Sequence, residues 1–385
     1  MSVRIPGFRR SASDAPAPAA AAPTPAVVAP TPATVADPPR IRPGAAVDRA
    51  QELIADHRYL EAVDLLTECN RHERNAKVEV LIERYRHDAF EYVDWPEGPA
   101  EWPPPTPPDL FEGVTQPPAV DLADLTSEKL RSAMLNHGCL HVRGLIAPER
   151  VDPFIETVEH VYSSYDAGLL VEPGTDKSDA PWYVPFSPRP RFKGAILARD
   201  WVRHGGGVLT IDSPRALYEL FELFTEANLR EIIGDYLGER PVGAGGKCTL
   251  RRTPVDLGGA DWHQDGAFLA QGIHAVNVWA PLTACGGDAL VPGLEIVPKR
   301  VDTLLPSGTH GAWFDWSLSP DVIAEISVDA PVIRPAFAAG DALLFDDLFV
   351  HRTAIDEGMT GDRYAIENWF LAPSTYPDDQ VPMVF

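Results

Sequence analysis

Four residues in the C-terminal third have the types and spacing to do chemistry together. His263 and Asp265 stand two apart in "DWHQDGAFLA", His351 follows 86 positions after Asp265, and Arg363 comes twelve later at the head of "RYAIENWF". A His-x-Asp pair alone is cheap, since 11 His in an acidic chain should yield about one by chance. Two imidazoles and one carboxylate, however, cover one face of an octahedral ion and leave the opposite face open, a donor set that suits Fe(II) and leaves room for a chelating co-substrate and O2. An arginine beside such a centre offers a two-pronged fork for a carboxylate, which lysine cannot copy. Each residue also has an ordinary reading. His263 and Asp265 could form a polar turn, and Arg363 could pair with Asp362 or Glu367.

These residues must be brought together by the elements around them. From about residue 240 the chain consists of short β-rich runs split by Gly/Pro turns: "KCTLRRT", "HAVNVWAPL", "LEIVP", "PVIRPAF", "DALLFD", "HRTAI" and "RYAIENWFLAP". That spacing predicts an antiparallel double-sheet barrel with helices outside it. His351 then begins one strand and Arg363 another. Upstream, "LTSEKLRSAMLNHG" predicts a helix capped by Thr126 and stopped at Gly138, and "CLHVRGLI" a strand. A further helix should cover "APERVDPFIETVEHVYSSYDAG". Two more should lie in "SPRALYELFELFTEANLREIIGDYLG", the first capped by Ser213 and the second ended by Gly238.

The N-terminal part is different in texture. Residues 1–45 form a tail whose Pro/Ala tract fixes φ and lacks amide donors, so it should be disordered and extended. Residues 46–95 carry apolar positions at helical spacing and predict two antiparallel helices joined near Asn70–Asn75. "RYLEAVDLLTE" resembles one tetratricopeptide-type hairpin. A solenoid unit without stacked neighbours must cover its apolar face some other way, on the main domain or on a protein partner. Residues 96–119 are a proline-rich linker, and 120–385 make up the large domain.

Composition narrows the function classes. With 33 basic and 56 acidic residues the net charge is −23, a field that repels nucleic acid and anionic lipid. The scattered Cys69, Cys139, Cys248 and Cys285 form no Cys-x-x-Cys pair and suit free thiols in a reducing, cytoplasmic setting. No run of about 18 apolar residues exists to span a membrane.

With "WHQDG", the strand "VNVWAPL", the "GDALLFD…HRT" segment and the closing "RYAIENWF" in view, residues 120–375 resemble the phytanoyl-CoA dioxygenase family of Fe(II)/2-oxoglutarate-dependent oxygenases. The resemblance implies a mostly β fold with flanking helices (α+β) around a double-stranded β-helix, or jelly roll, here preceded by the helical hairpin. It implies His263, Asp265 and His351 as iron ligands. Arg363 and Thr353 would take the distal carboxylate of 2-oxoglutarate, with Asn277 or Trp279 bordering it. Substrate, 2-oxoglutarate and O2 would yield hydroxylated product, succinate and CO2. Asp265 fills the position that halogenating relatives leave open for halide, so hydroxylation is the expected outcome. The chain departs from the family at "CGGDALVPGLEIVPKR", and Lys247 is a candidate for the family's co-substrate lysine by proximity alone.

Ordinary readings accompany the other candidates. Thr353 is a β-former in a strand, and Asn277 and Trp279 could be packing residues. One of Arg251 and Arg252 should face the barrel interior by alternation, and that one is the expected substrate contact. Trp262, Phe268, Trp279, Trp369 and Phe370 could line or support the cavity. The basic run 187–206 (Arg189, Arg191, Lys193, Arg199, Arg203, His204) could grip an anion or simply offset neighbouring acids. His274 and His310 read as loop histidines, and "GAWFDWSL" as lid packing. Two other function classes stay open: a catalytically inactive barrel serving as a scaffold through residues 46–95, and a redox-neutral metal isomerase or lyase.

Overall fold

The computed structural model describes residues 41–167, 182–192, 194, 197–269, 272–309 and 311–385. Most of the expected tail, together with Lys193 and His310, lies outside them. The boundary at 45 shifts: the first helix, α1, already runs Pro43–Ala55, with proline in the first turn, where its missing amide costs nothing. Helices α2 (Tyr59–His72) and α3 (Ala76–Tyr92) follow. The expected two-helix hairpin is therefore three helices. The chain breaks at His57, which sits at φ 60°, and its ring stacks on Tyr92 at 4.9 Å.

The apolar faces of α1–α3 are covered within the chain. Val47, Leu53, Val63, Leu66 and Ile82 share one cluster with Phe192, Tyr218, Val242 and Val384 of the large body. Helix α3 also carries buried charge into that contact. Glu79 accepts from Arg215 (2.9 Å), Arg86 donates to the Val384 carbonyl (2.8 Å), and His87 Nδ1 lies 3.0 Å from the Pro382 carbonyl. The proline-rich linker is packed as well: Trp102 stacks on His274 at 4.2 Å and meets Tyr236 edge-on.

The large body contains β1 (Ala119–Asp121), α4 (Ser127–His137), β2 (Cys139–Arg143), α5 (Pro148–Asp166), α6 (Arg199–His204), β3 (Gly207–Leu209), α7 (Pro214–Glu226) and α8 (Leu229–Leu237). Then come β4 (Val242–Ala244), β5 (Thr249–Thr253), β6 (Ala275–Pro281), β7 (Gly293–Ile296), α9 (Pro320–Ile326), β8 (Ala342–Phe345), β9 (His351–Ala354), β10 (Arg363–Leu371) and β11 (Pro382–Val384). The caps expected at Thr126 and Ser213 are made, each oxygen accepting a first-turn amide. Gly138 ends α4 at φ 86°, a left-handed conformation that a side chain would resist.

The main sheet runs β1-β2-β8-β6-β10, with β5 and β4 sharing the far edge of β10, β3 beyond β5 and β11 beyond β4. Its pairs are antiparallel except β1 with β2. Strand alternation divides its side chains between two layers. Val276, Val278, Leu344, Ile366 and Phe370 pack under the helices, whereas Trp279, Leu343, Phe345, Ala365 and Trp369 face a smaller sheet of β7 and β9. The smaller sheet is widened by single bridges from His351 to His263, from His263 to Ser317, and from Ile296 to Ile333. "PVIRPAF" contributes only such bridges, at Ile333 and Phe337, because Pro331 and Pro335 limit its ladder. No helix among the described residues is long and apolar enough to cross a membrane.

Candidate metal centre

His263 and His351 lie directly opposite each other. His263 N–H donates to the His351 carbonyl (3.0 Å) and His351 N–H donates back (3.2 Å), so both side chains leave the same face of the smaller sheet. Their ring centroids are 4.3 Å apart. Asp265 comes off the turn just past His263, with Oδ1 3.5 Å from His263 Nε2 and Oδ2 3.8 Å from His351 Nε2. All three are buried, and one ligand atom from each lies within 4.8 Å of the others. Among the described residues this is the one such group of three.

Backbone carbonyls orient the two imidazoles. Each Nδ1 meets a backbone carbonyl, His263 that of Asp261 (2.6 Å) and His351 that of Phe349 (3.1 Å). With the proton kept on Nδ1 and donated to those carbonyls, both Nε2 atoms would be the ones offered to a metal on the Asp265 side. Burial holds the His351 imidazole down at about 4, so it is neutral at physiological pH. Burial alone would raise Asp265, but the hydrogen bond to His263 and the nearby Lys247 ammonium hold its carboxyl below the ordinary value. Gln264 points the other way and staples the turn, donating to the carbonyls of Thr303 and Leu348 and accepting from Leu305 N–H. Gly266 follows because a Cβ there would come within 2.8 Å of Leu304 and 2.9 Å of Asp347.

Arg363 begins β10 with its side chain on the interior face. It is 4% exposed, donates Nη1 to the Gly293 carbonyl (3.1 Å), and lies 5.7 Å from the centre of the Trp279 ring. Its Nε has no hydrogen-bond partner, and it makes no ion pair among the described residues. The alternative pairing with Glu367 is excluded, because Glu367 is held by Arg251 at 2.8 Å. Burial lowers the Arg363 pKa, and the Glu367 carboxylate, already paired with Arg251, offsets this only in part. Thr353 leaves β9 on the same side as His351, and its hydroxyl accepts from Ala260 N–H at 3.2 Å. Asn277 is buried on the interior face, with Oδ1 unpartnered.

Other expectations divide. Arg251 faces the interior beside Ala365, but Arg252 pairs with Tyr364 on the helix side and is bound to Glu159 (2.9 Å), so its expected substrate role is corrected. Arg251 is itself neutralised by Glu367. Phe370 packs under the helices and Trp262 in a separate cluster behind the smaller sheet, so neither lines the cavity. The basic run is consumed locally: Arg189 holds Asp88, Arg191 holds Asp378, Arg199 holds Asp212 and Arg203 holds Asp166. "GAWFDWSL" lies at the site: Trp316 meets the His263 ring edge-on at 5.5 Å and stacks on Phe314. Gln264, Glu367 and Trp316 were not among the predicted site residues. The first two carried a readable signal in their places inside the "WHQDG" and "RYAIENWF" motifs, and Trp316 in the aromatic segment "GAWFDWSL".

No protein-family model matches the sequence, and no curated protein matches it. Solved structures with a similar chain trace include the non-heme α-ketoglutarate-dependent carbocyclase SnoK from nogalamycin biosynthesis (TM-score 0.44, 14% identity, covering 66% of this chain and 87% of that one). EctD from S. alaskensis, solved with 2-oxoglutarate and 5-hydroxyectoine, has TM-score 0.41 and 15% identity over 62% of this chain and 73% of its own. AviO1 from Streptomyces viridochromogenes Tue57 has TM-score 0.39 and 18% identity over 63% of this chain and 94% of its own.

Proposed function

We propose that the chain is a non-haem Fe(II)/2-oxoglutarate-dependent dioxygenase that hydroxylates an unactivated C–H of a small or carrier-linked metabolite, releasing succinate and CO2. The carrying observation is a buried His263–Asp265–His351 cluster together with a buried Arg363 that makes no ion pair among the described residues and whose Nε has no hydrogen-bond partner. A guanidinium taken out of water without a counter-charge is costly unless a ligand completes it, and a dicarboxylate spanning from metal to arginine would do so.

The residues fit both groups. His263, Asp265 and His351 would hold iron, while Arg363 would take the distal carboxylate of 2-oxoglutarate, with Thr353, Asn277 and Trp279 around it. When bound, iron and 2-oxoglutarate supply the oxidative decarboxylation that delivers an oxygen atom from O2 to the substrate. The chain's own share is positional. The two backbone carbonyls fix the imidazole tautomers, Gln264 holds the turn, and Phe345, 4.8 Å from the His351 ring, backs that ligand from the facing sheet. The apolar layer between the sheets keeps water from the buried groups.

We read the two facing sheets as the double-stranded β-helix, residues 120–385 as the catalytic domain, and the "WHQDG" and "RYAIENWF" motifs as those of the phytanoyl-CoA dioxygenase family. The four free cysteines suit a cytoplasmic setting. The scaffold reading loses ground because the apolar faces of α1–α3 are covered within the chain. A redox-neutral isomerase would leave Arg363 without a ligand.

The test is anaerobic addition of Fe(II) and 2-oxoglutarate to the purified protein. A visible metal-to-ligand charge-transfer band is expected, with substrate-stimulated succinate formation on admitting O2 in a metabolite screen. Asp265→Ala should lose both. Wild-type protein that binds neither group, or turnover that survives Asp265→Ala, rules the reading out.

A further inference from the structure

The interior presents two cations besides the Arg251–Glu367 pair, and only one has been given a ligand. Arg363 lies toward Trp279 and Gly293. Lys247, between β4 and β5, lies with Nζ 4.5 Å from the centre of the Phe268 ring, and Phe268 in turn stands 5.9 Å from His263. Asp265, Asp379 and Glu367 act on this ammonium from a distance, but none forms an ion pair with it. Burial lowers its pKa, consistent with an incompletely compensated charge. With Asp265 serving a metal and Glu367 serving Arg251, Lys247 is left on the Phe268 side outside any ion pair among the described residues, with only the more distant Asp379 acting on it.

That side is also aromatic. Phe268 meets Trp316 edge-on at 6.2 Å, Phe314 stacks on Trp316 at 4.9 Å, and Trp313 is 82% exposed. The segment is ordered: Ser317 Oγ accepts from Trp313 and Phe314 N–H, and Ser317 bridges to His263 itself. Exposed large apolar groups gathered at the mouth of a buried centre mark a binding surface.

Resting on the proposed oxygenase reading, we infer that Lys247 and the Phe268/Trp316/Phe314 platform form the substrate subsite, and that its ligand is a flat-ringed small molecule carrying a single anionic group. The ring lies on the aromatic platform and the anion reaches Lys247. Arg251, already neutralised, orients Glu367 and does not act as the anion anchor.

The experiment uses full-length protein loaded anaerobically with Fe(II) and saturating 2-oxoglutarate. The probes are naphthalene-2-sulfonate and its neutral isostere naphthalene-2-sulfonamide, with binding followed by calorimetry. Wild-type protein should bind the sulfonate about tenfold more tightly or better, the worth of one charge-assisted hydrogen bond. Lys247→Met should erase that preference and Lys247→Arg should keep it. Should the Met variant not fold, Lys247→Gln makes the same comparison. Equal binding of the two probes, no sulfonate binding up to its solubility, or a preference surviving removal of the charge each overturns the assignment. The charge-transfer band of the same wild-type samples reports separately on the oxygenase reading: a band without probe preference sinks only the subsite.

Discussion

Arg363 offers a test in which stability and ligand affinity should move in opposite directions. The side chain is 4% exposed and lacks a carboxylate, a situation that costs several kcal/mol in desolvation. Its bond to the Gly293 carbonyl returns about 1.5–3 kcal/mol, and the Trp279 face about 1–2 kcal/mol. The ligand-free fold therefore gains little from this arginine. Arg363→Met, similar in volume and uncharged, should leave ligand-free stability unchanged or raise it by up to about 2 kcal/mol. The same change removes a two-pronged carboxylate contact worth at least about 3 kcal/mol, weakening 2-oxoglutarate about 100-fold. With 2-oxoglutarate at 100 times the wild-type Kd, the wild type gains about 2.7 kcal/mol, whereas the variant gains only about 0.4 kcal/mol. Urea melts of both proteins, with and without metal and 2-oxoglutarate, read all four values. A ligand-free loss above about 2 kcal/mol in the variant, or equal stabilisation of the two proteins by 2-oxoglutarate, would refute the argument that this arginine is held for a ligand.

Gly266→Ala should displace Asp265 through the contacts with Leu304 and Asp347, lowering Fe(II) affinity about tenfold in a competition titration, as losses of ligand support generally do. Glu79→Ala should cost about 3 kcal/mol in urea unfolding, because Arg215 loses its buried partner. His87 is pushed by burial from 6.5 down to about 4, so the unfolded chain takes up its proton first and stability falls as pH drops through that window. The full effect is about 3 kcal/mol, and His87→Gln should flatten that part of the stability–pH curve measured by denaturant titration. A slope unchanged in the variant would remove His87 from the account.

The parts of the fold governed by local rules were legible in the sequence. The caps at Thr126 and Ser213, the stop at Gly138, and the strands opened by His351 and Arg363 follow from hydrogen-bonding needs and alternation within a few residues. Of the three candidate metal-binding residues, His351 opens such a strand, while His263 and Asp265 lie in a bridged turn that the "WHQDG" motif marked. The break at His57 was not, since nothing in the residue type requires φ of 60°; the stacking of its ring on Tyr92, far along the chain, accompanies it. Alternation promised one inward arginine at 251 and 252 without saying which, because that depends on register. Pairing with Ala365 and Tyr364 turns Arg251 inward and Arg252 toward Glu159. Facing inward is not the same as being free of a partner: Glu367, from the neighbouring strand, pairs with Arg251. What makes a buried cation a ligand site is the absence of a counter-charge, a property of the whole neighbourhood that no spacing encodes. By that criterion the described interior cations outside an ion pair, Arg363 and Lys247, are the ones to test with ligands.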